Sequence, residues 1–174
     1  MSTRKLALAV VAALSISTSA FAEGPGLGLP LAEADIPFYA RYVMPDGDGL
    51  PPGEGTPAAG HAVWETHCAR CHGATGNEGP VMPPVGPAQA FAKPAGTFWP
   101  YATTLFDFIR RAMPFLTPKV LSDDEVYAVT AFILQRNGVI AESAVMNAAT
   151  LPRVVMPNRK NFIDLWAKQG EKPY

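Results

Sequence analysis

The sequence predicts an all-α fold, its helices joined by long loops rich in proline and glycine. Three observations carry this. Apolar residues recur at helical spacing in YATTLFDFIRRAM (101–113) and SDDEVYAVTAFILQRNG (122–138), helix start and stop signals bracket the periodic segments, and alternating strand-like runs are scarce.

The chain opens with Arg4 and Lys5, followed by the apolar run LALAVVAALSISTSA. That run is broken by serines and is short for a bilayer span, and Ala20-Phe21-Ala22 offers a small-x-small cleavage pattern. Residues 1–22 therefore read as a signal peptide cleaved after Ala22. The mature chain is expected to be exported, without stable membrane insertion. Cleavage takes the formal charge from −1 to −3, because two of the 14 basic residues and none of the 15 acidic ones are lost. A balance of this kind leaves no footprint for nucleic acid and no polybasic segment for anionic lipid. The length left suits one domain with one core.

Residues 23–56 are dense in proline and glycine and lack a sustained apolar period, so they read as an extended arm. Within them AEADIPFYARYV offers aromatic and aliphatic side chains that could dock on an apolar surface. Order is expected to begin near Thr56, an N-cap followed by Pro57 at the first helical position. That helix carries Val63, Trp64 and His67 toward one face and ends at Gly73 and Gly76. Residues 77–100 hold six prolines and should form a loop, and a loop of that length usually wraps a ligand or carries function. Leu105, Phe106, Ile109 and Met113 then stripe a helix that Pro114 stops. In the next helix Ser122 and Glu125 form a capping box, acidic residues favour its N-terminus, and Asn137-Gly138 ends it. The domain proper is expected over 57–140, with 141–174 an extension that packs back through apolar residues such as those of VVMPNRKNFIDLW.

Both cysteines of the chain lie in CARCH, residues 68–72, which has the CxxCH spacing of covalent c-type haem attachment. The spacing has a chemical reason. Two thiols on one helical turn can each add across a vinyl group of the porphyrin, and the next residue points its imidazole at the iron. A thioredoxin-like pair would want a βαβ context, a zinc site two more ligands, and a Cys68–Cys71 disulfide would close a short, strained loop. One covalent haem c is thus expected on Cys68, Cys71 and His72.

Methionine opposite histidine raises the potential and suits an electron carrier. Met113, before Pro114 at a helix end, is the favoured sixth ligand; Met82 and Met156 are alternatives, and a gap-filling core methionine is the other reading of Met113. His61 and His67 read as ordinary surface or packing histidines. Pro80 is a candidate to turn its loop so that a backbone carbonyl receives the Nδ1 proton of His72. Trp99 and Tyr101 could donate to haem propionates, or simply be aromatic core.

These residues carry a resemblance. CARCHG with a later RAMP and a capped C-terminal helix resembles a class I cytochrome c. More narrowly, DGDGLPPGEGTPAAGHAVWETHCARCHG, WPYATTLFDFIRRAMPF, LSDDEVYAVTAFILQRNGVI and MPNRKNF resemble the cytochrome c subunit of periplasmic sulfite or sulfane dehydrogenases of sulfur-oxidising bacteria. The similarity runs from about Asp46 to Phe162, and WPYATTLFDFIRRAMPF is its specific part. It implies a class I cytochrome c fold behind a Pro/Gly-rich arm. It implies haem held by Cys68 and Cys71, ligated by His72 and Met113, with Trp99 and Tyr101 along the propionate edge. The implied partner is a molybdenum subunit that oxidises the sulfur compound and passes on electrons singly, with the arm before Thr56 wrapping it. Lys160 departs from the pattern, standing where an acidic residue is expected. No nucleophile, proton-transfer dyad or molybdenum-binding segment is visible, so the chain reads as a carrier and not a catalyst by itself. The alternative is a free periplasmic shuttle from another dehydrogenase to a downstream cytochrome or oxidase. An enzyme or gas sensor with an open iron position is a third reading, closed off if Met113 is a ligand.

Overall fold

The computed structural model describes residues 28–39, 42–87 and 93–163. The signal-peptide reading of residues 1–22 lies outside them, as does the tail beyond Ile163. The chain divides into two units, residues 1–40 and 41–174. In the first, a 3₁₀ turn at Glu33–Asp35 runs into a single helical turn, α1 (Ile36–Tyr39), with Leu29, Leu31, Ile36 and Tyr39 exposed. No helix of the described residues is long and apolar enough to cross a membrane.

The second unit is built on three helices, α2 (Pro57–His67), α5 (Ala102–Ala112) and α6 (Asp123–Arg136), with the single turns α3 (Ala69–His72) and α4 (Ala95–Phe98) between α2 and α5. Local chemistry explains where each begins and ends. Thr56 caps α2 by accepting the Ala59 N–H at 3.2 Å, and Pro57 occupies a position whose missing N–H costs nothing. Gly73 ends α3 at φ 86°, a conformation a β-carbon would strain. In α6 the Ser122 hydroxyl accepts the Glu125 N–H at 3.3 Å while Glu125 accepts the Ser122 N–H at 2.8 Å, which satisfies two otherwise orphaned donors.

The core lies where α2 and α5 pack on α6. Trp64 of α2 meets Phe132 of α6 at 5.3 Å between ring centroids, and Phe106 of α5 meets Tyr127 at 4.4 Å. Leu105, Ile109, Val126, Val129, Ile133 and Leu134 fill the space between. Close approach of α2 to α6 depends on small residues, since Gly60 lies directly against the Ala128 backbone.

Two expectations about the chain's organisation are corrected. Order does not wait for Thr56. Val43 is buried and its N–H donates to the buried Asp107 carboxylate at 3.2 Å, the Tyr127 hydroxyl donates to the Pro51 carbonyl at 2.9 Å, and β1 (Glu54–Gly55) pairs antiparallel with β2 (Met146–Asn147). Composition misleads here because a proline- and glycine-rich segment can still be fixed by bonds to partners 60 or more residues away. The 77–100 loop also contains regular structure, α4, whose Thr97 and Phe98 N–H groups return to the Pro94 carbonyl. The C-terminal residues Met146, Leu151 and Met156 are all buried in the same core.

Ser122→Ala is expected to destabilise the fold by ~1 kcal/mol, measured by chemical denaturation. The Ser122 N–H and then its hydroxyl hold the Glu125 carboxyl below its ordinary value. That stabilisation is therefore present above the ordinary carboxylate pKa and fades as pH falls through the depressed one. The variant keeps the backbone bond and should lose stability somewhat less steeply in acid than the parent; equal acid dependence would show that the hydroxyl contributes nothing to it.

Candidate functional site

The site grows from the end of α2. Cys68 closes that helix by donating its N–H to the Trp64 carbonyl at 2.9 Å, and α3 follows at once, so Cys68, Cys71 and His72 share about one turn. Both thiols are free. Burial, and secondarily the charge of Cys71, pushes the Cys68 thiol up to about 11.

His72 is fixed from two directions. Its Nδ1 lies 3.1 Å from the Met82 carbonyl oxygen, to which it donates in the tautomer that leaves Nε2 as the ligating atom. The buried Trp64 indole donates to the Gly73 carbonyl at 3.0 Å, and its ring lies 5.8 Å from the imidazole. Burial lowers the His72 pKa and so favours the neutral form a metal needs, while the bond to the Met82 carbonyl works in the opposite direction.

The carbonyl at Nδ1 thus belongs to Met82, two residues beyond Pro80, which itself sits exposed in the loop. Met82 precedes Pro83, and a residue before proline is held extended. A backbone carbonyl thus meets Nδ1 as expected, in a loop that carries Pro80, Pro83, Pro84 and Pro87.

Met113 caps the end of α5, its N–H bonded to the Ile109 carbonyl at 3.0 Å and its side chain partly buried against the core. Met156 and Met146 are core residues, while Met82 has an exposed side chain. Trp99 packs edge-on against Phe108 at 5.2 Å, and Tyr101 lies under the Arg159 guanidinium at 4.3 Å. His61 is exposed, beside Phe132 and Glu65, and His67 is exposed as well.

Comparison with known proteins fits this geometry. The family model described as cytochrome C oxidase, cbb3-type, subunit III matches residues 55–133, which span α2 to α6 up to Ile133. A chain in the crystal structure of the sulfane dehydrogenase SoxCD from Paracoccus pantotrophus is 35% identical, with a TM-score of 0.71, over 86% of this chain and 77% of that one. The chain belongs to the class I cytochromes c. No curated protein matches it significantly.

The donor set of this cytochrome fits haem c. It presents two free thiols and a neutral imidazole on one turn, with the imidazole's second nitrogen already held by a carbonyl. The segment that meets the imidazole is apolar and exposed at Val81 and Met82, as a flat apolar macrocycle requires of its surroundings. Among the described residues no group of three or more His, Cys, Asp or Glu could hold a bare metal ion. Sequence reasoning missed Trp64 as a brace for Gly73, the Met82 carbonyl, and the Asn137 side chain, which holds the loop after Met82.

Proposed function

We propose that this cytochrome is a periplasmic carrier of single electrons and the electron-accepting subunit of a molybdenum sulfite or sulfane dehydrogenase. The observation that carries the proposal is the reach of the similarity to the sulfane dehydrogenase chain. It covers 86% of this chain, well beyond residues 55–133 that the general cytochrome model matches. The extra coverage must draw on segments outside that range, among them the ordered end of the arm and the C-terminal extension, which a bare haem domain does not need.

Bound haem c supplies an iron that accepts one electron and releases it again. Cys68 and Cys71 would hold it covalently as thioethers, and His72 and Met113 would ligate its iron. The Met82 carbonyl keeps the imidazole oriented. Trp99 and Tyr101 would donate to its propionates. With His72 and Met113 both ligating, the iron would be closed to small ligands, which suits transfer and not catalysis. The leader read in residues 1–22 places haem attachment outside the cytoplasm. The arm, with Leu29, Leu31, Ile36 and Tyr39 exposed, supplies apolar surface for the partner subunit.

The test mixes purified ferric cytochrome anaerobically with sulfite and periplasmic extract from its host, following the haem absorption. Rapid reduction with both, and with neither alone, is the expected result. No reduction with sulfite, nor with a sulfane-sulfur substrate mixed in the same way, while a control reductant still works, would overturn the dehydrogenase assignment in favour of a free shuttle to a downstream cytochrome or oxidase.

A further inference from the structure

Asn137 ends α6, and its side chain does more than end a helix. Its Nδ2 donates to the Ile133 carbonyl at 2.8 Å and to the Pro84 carbonyl at 3.2 Å, while its Oδ1 accepts the Gly86 N–H at 2.9 Å. One amide therefore grips both ends of Pro84–Val85–Gly86 and ties them to the framework helix. The α4 segment grips the same three residues from the other flank. Gly96 N–H donates to the Pro84 carbonyl at 3.1 Å and the Thr97 hydroxyl to the Gly86 carbonyl at 2.9 Å. The room for this convergence comes from Gly96, where a β-carbon would overlap Asn137 Nδ2 and sit 2.8 Å from both Ile133 Cγ2 and the Pro84 oxygen.

What this grip holds is the carbonyl that orients the proximal histidine. Met82 is joined to Pro84 through Pro83, and two successive prolines leave few soft dihedrals between them. A displacement at Pro84 is passed to the Met82 carbonyl instead of being absorbed. Two further ties on the loop, Val85 N–H to the Gly76 carbonyl and Gly79 N–H to the His72 carbonyl, both at 3.2 Å, lead back to the haem motif's own end and so do not set the loop against α6.

We propose that Asn137 is a positioning residue for His72. By anchoring Pro84–Gly86 to α6, it sets the Met82 carbonyl against Nδ1 and thereby fixes the plane and the basicity of the axial imidazole. An N–H···O=C bond at Nδ1 makes the imidazole a stronger electron donor, so weakening it disfavours ferric iron. The inference rests on His72 ligation of haem c but not on the dehydrogenase partner.

The test uses the isolated holocytochrome, read by its midpoint potential and by the g values of its ferric form in electron paramagnetic resonance. Asn137→Ala and Asn137→Leu, both neutral changes, are expected to raise the potential and shift the largest g value. Thr97→Val, on the opposite flank, should move both in the same direction by less. Ser122→Ala weakens the far end of the same helix and should lower the melting temperature with neither readout changed. Potentials and g values equal to the parent's in the Asn137 variants, with only melting affected, would reduce Asn137 to a helix cap. Equal shifts in Ser122→Ala would likewise overturn the proposal, as general loosening would explain them. If the Asn137 variants fail to mature, Thr97→Val decides the question by the same two readouts. A holoprotein with no haem bound at His72 would instead refute the ligand assignment beneath it, whatever the partner.

Discussion

Replacing Met113 with alanine is expected to lower the reduction potential of the cytochrome and to let carbon monoxide bind its ferrous form. The thioether stabilises reduced iron, so its loss should change the ferric-to-ferrous ratio at a fixed potential by more than tenfold, which is more than about 59 mV for a one-electron couple. The structure narrows the choice of sixth ligand. Met146 and Met156 are committed to the core, and Met44 sits on the segment leading out of the arm. The Met82 backbone is engaged at His72 Nδ1, on the proximal side, so its thioether is badly placed to reach across the ring. Met113 stands at the end of α5, anchored through its N–H and only partly buried. Spectra and potential unchanged in Met113→Ala, accompanied by a loss of stability, would make it a gap-filling core residue and reopen the iron's sixth position.

Gly60→Ala should be among the most destabilising single methyl additions this fold can receive. The new methyl would overlap the Ala128 carbonyl oxygen and lie 2.8 Å from Phe132 Cβ, so α2 and α6 would have to separate. Small-to-large changes in a packed core cost ~1–3 kcal/mol where side chains can yield. Here the obstacle is backbone, which places the expected loss at or above the upper end, about 3 kcal/mol. Because α2 leads directly into Cys68, parted helices would also shift the haem motif, so a fall in covalently attached haem should accompany the fall in denaturation midpoint. Parental stability would mean that α2 and α6 do not cross closely at Gly60.

Much of this protein is legible in its amino-acid sequence, and what is legible there is local. Thr56-Pro57 starts α2, the Ser122–Glu125 box starts α6, and CARCH sets two thiols and an imidazole on one turn. Each of these depends on residues within three or four positions of one another, whose relative placement follows from helix geometry alone. The stripe of Leu105, Phe106 and Ile109 marks the buried side of α5 for the same reason. The resemblance added the family, which the comparison with known proteins bears out.

The remainder depends on distance across the fold. Whether Val43 to Gly55 is ordered turns on Asp107, Asp124 and Tyr127, all more than 60 positions away. No composition rule can register such partners, because a backbone group is satisfied by whatever folding brings beside it. Four prolines between residues 80 and 87 make it clear that the loop turns, yet the choice of Met82 as the carbonyl facing His72 required the loop's path in three dimensions. Asn137 reads in sequence only as a helix stop, and its grip on Pro84 and Gly86 exists because Gly96 leaves space beside it. Spacing along the chain determined which atoms can hold a haem. Tertiary packing decided how those atoms are aimed, since aim is set by hydrogen bonds between segments that only the folded core makes neighbours.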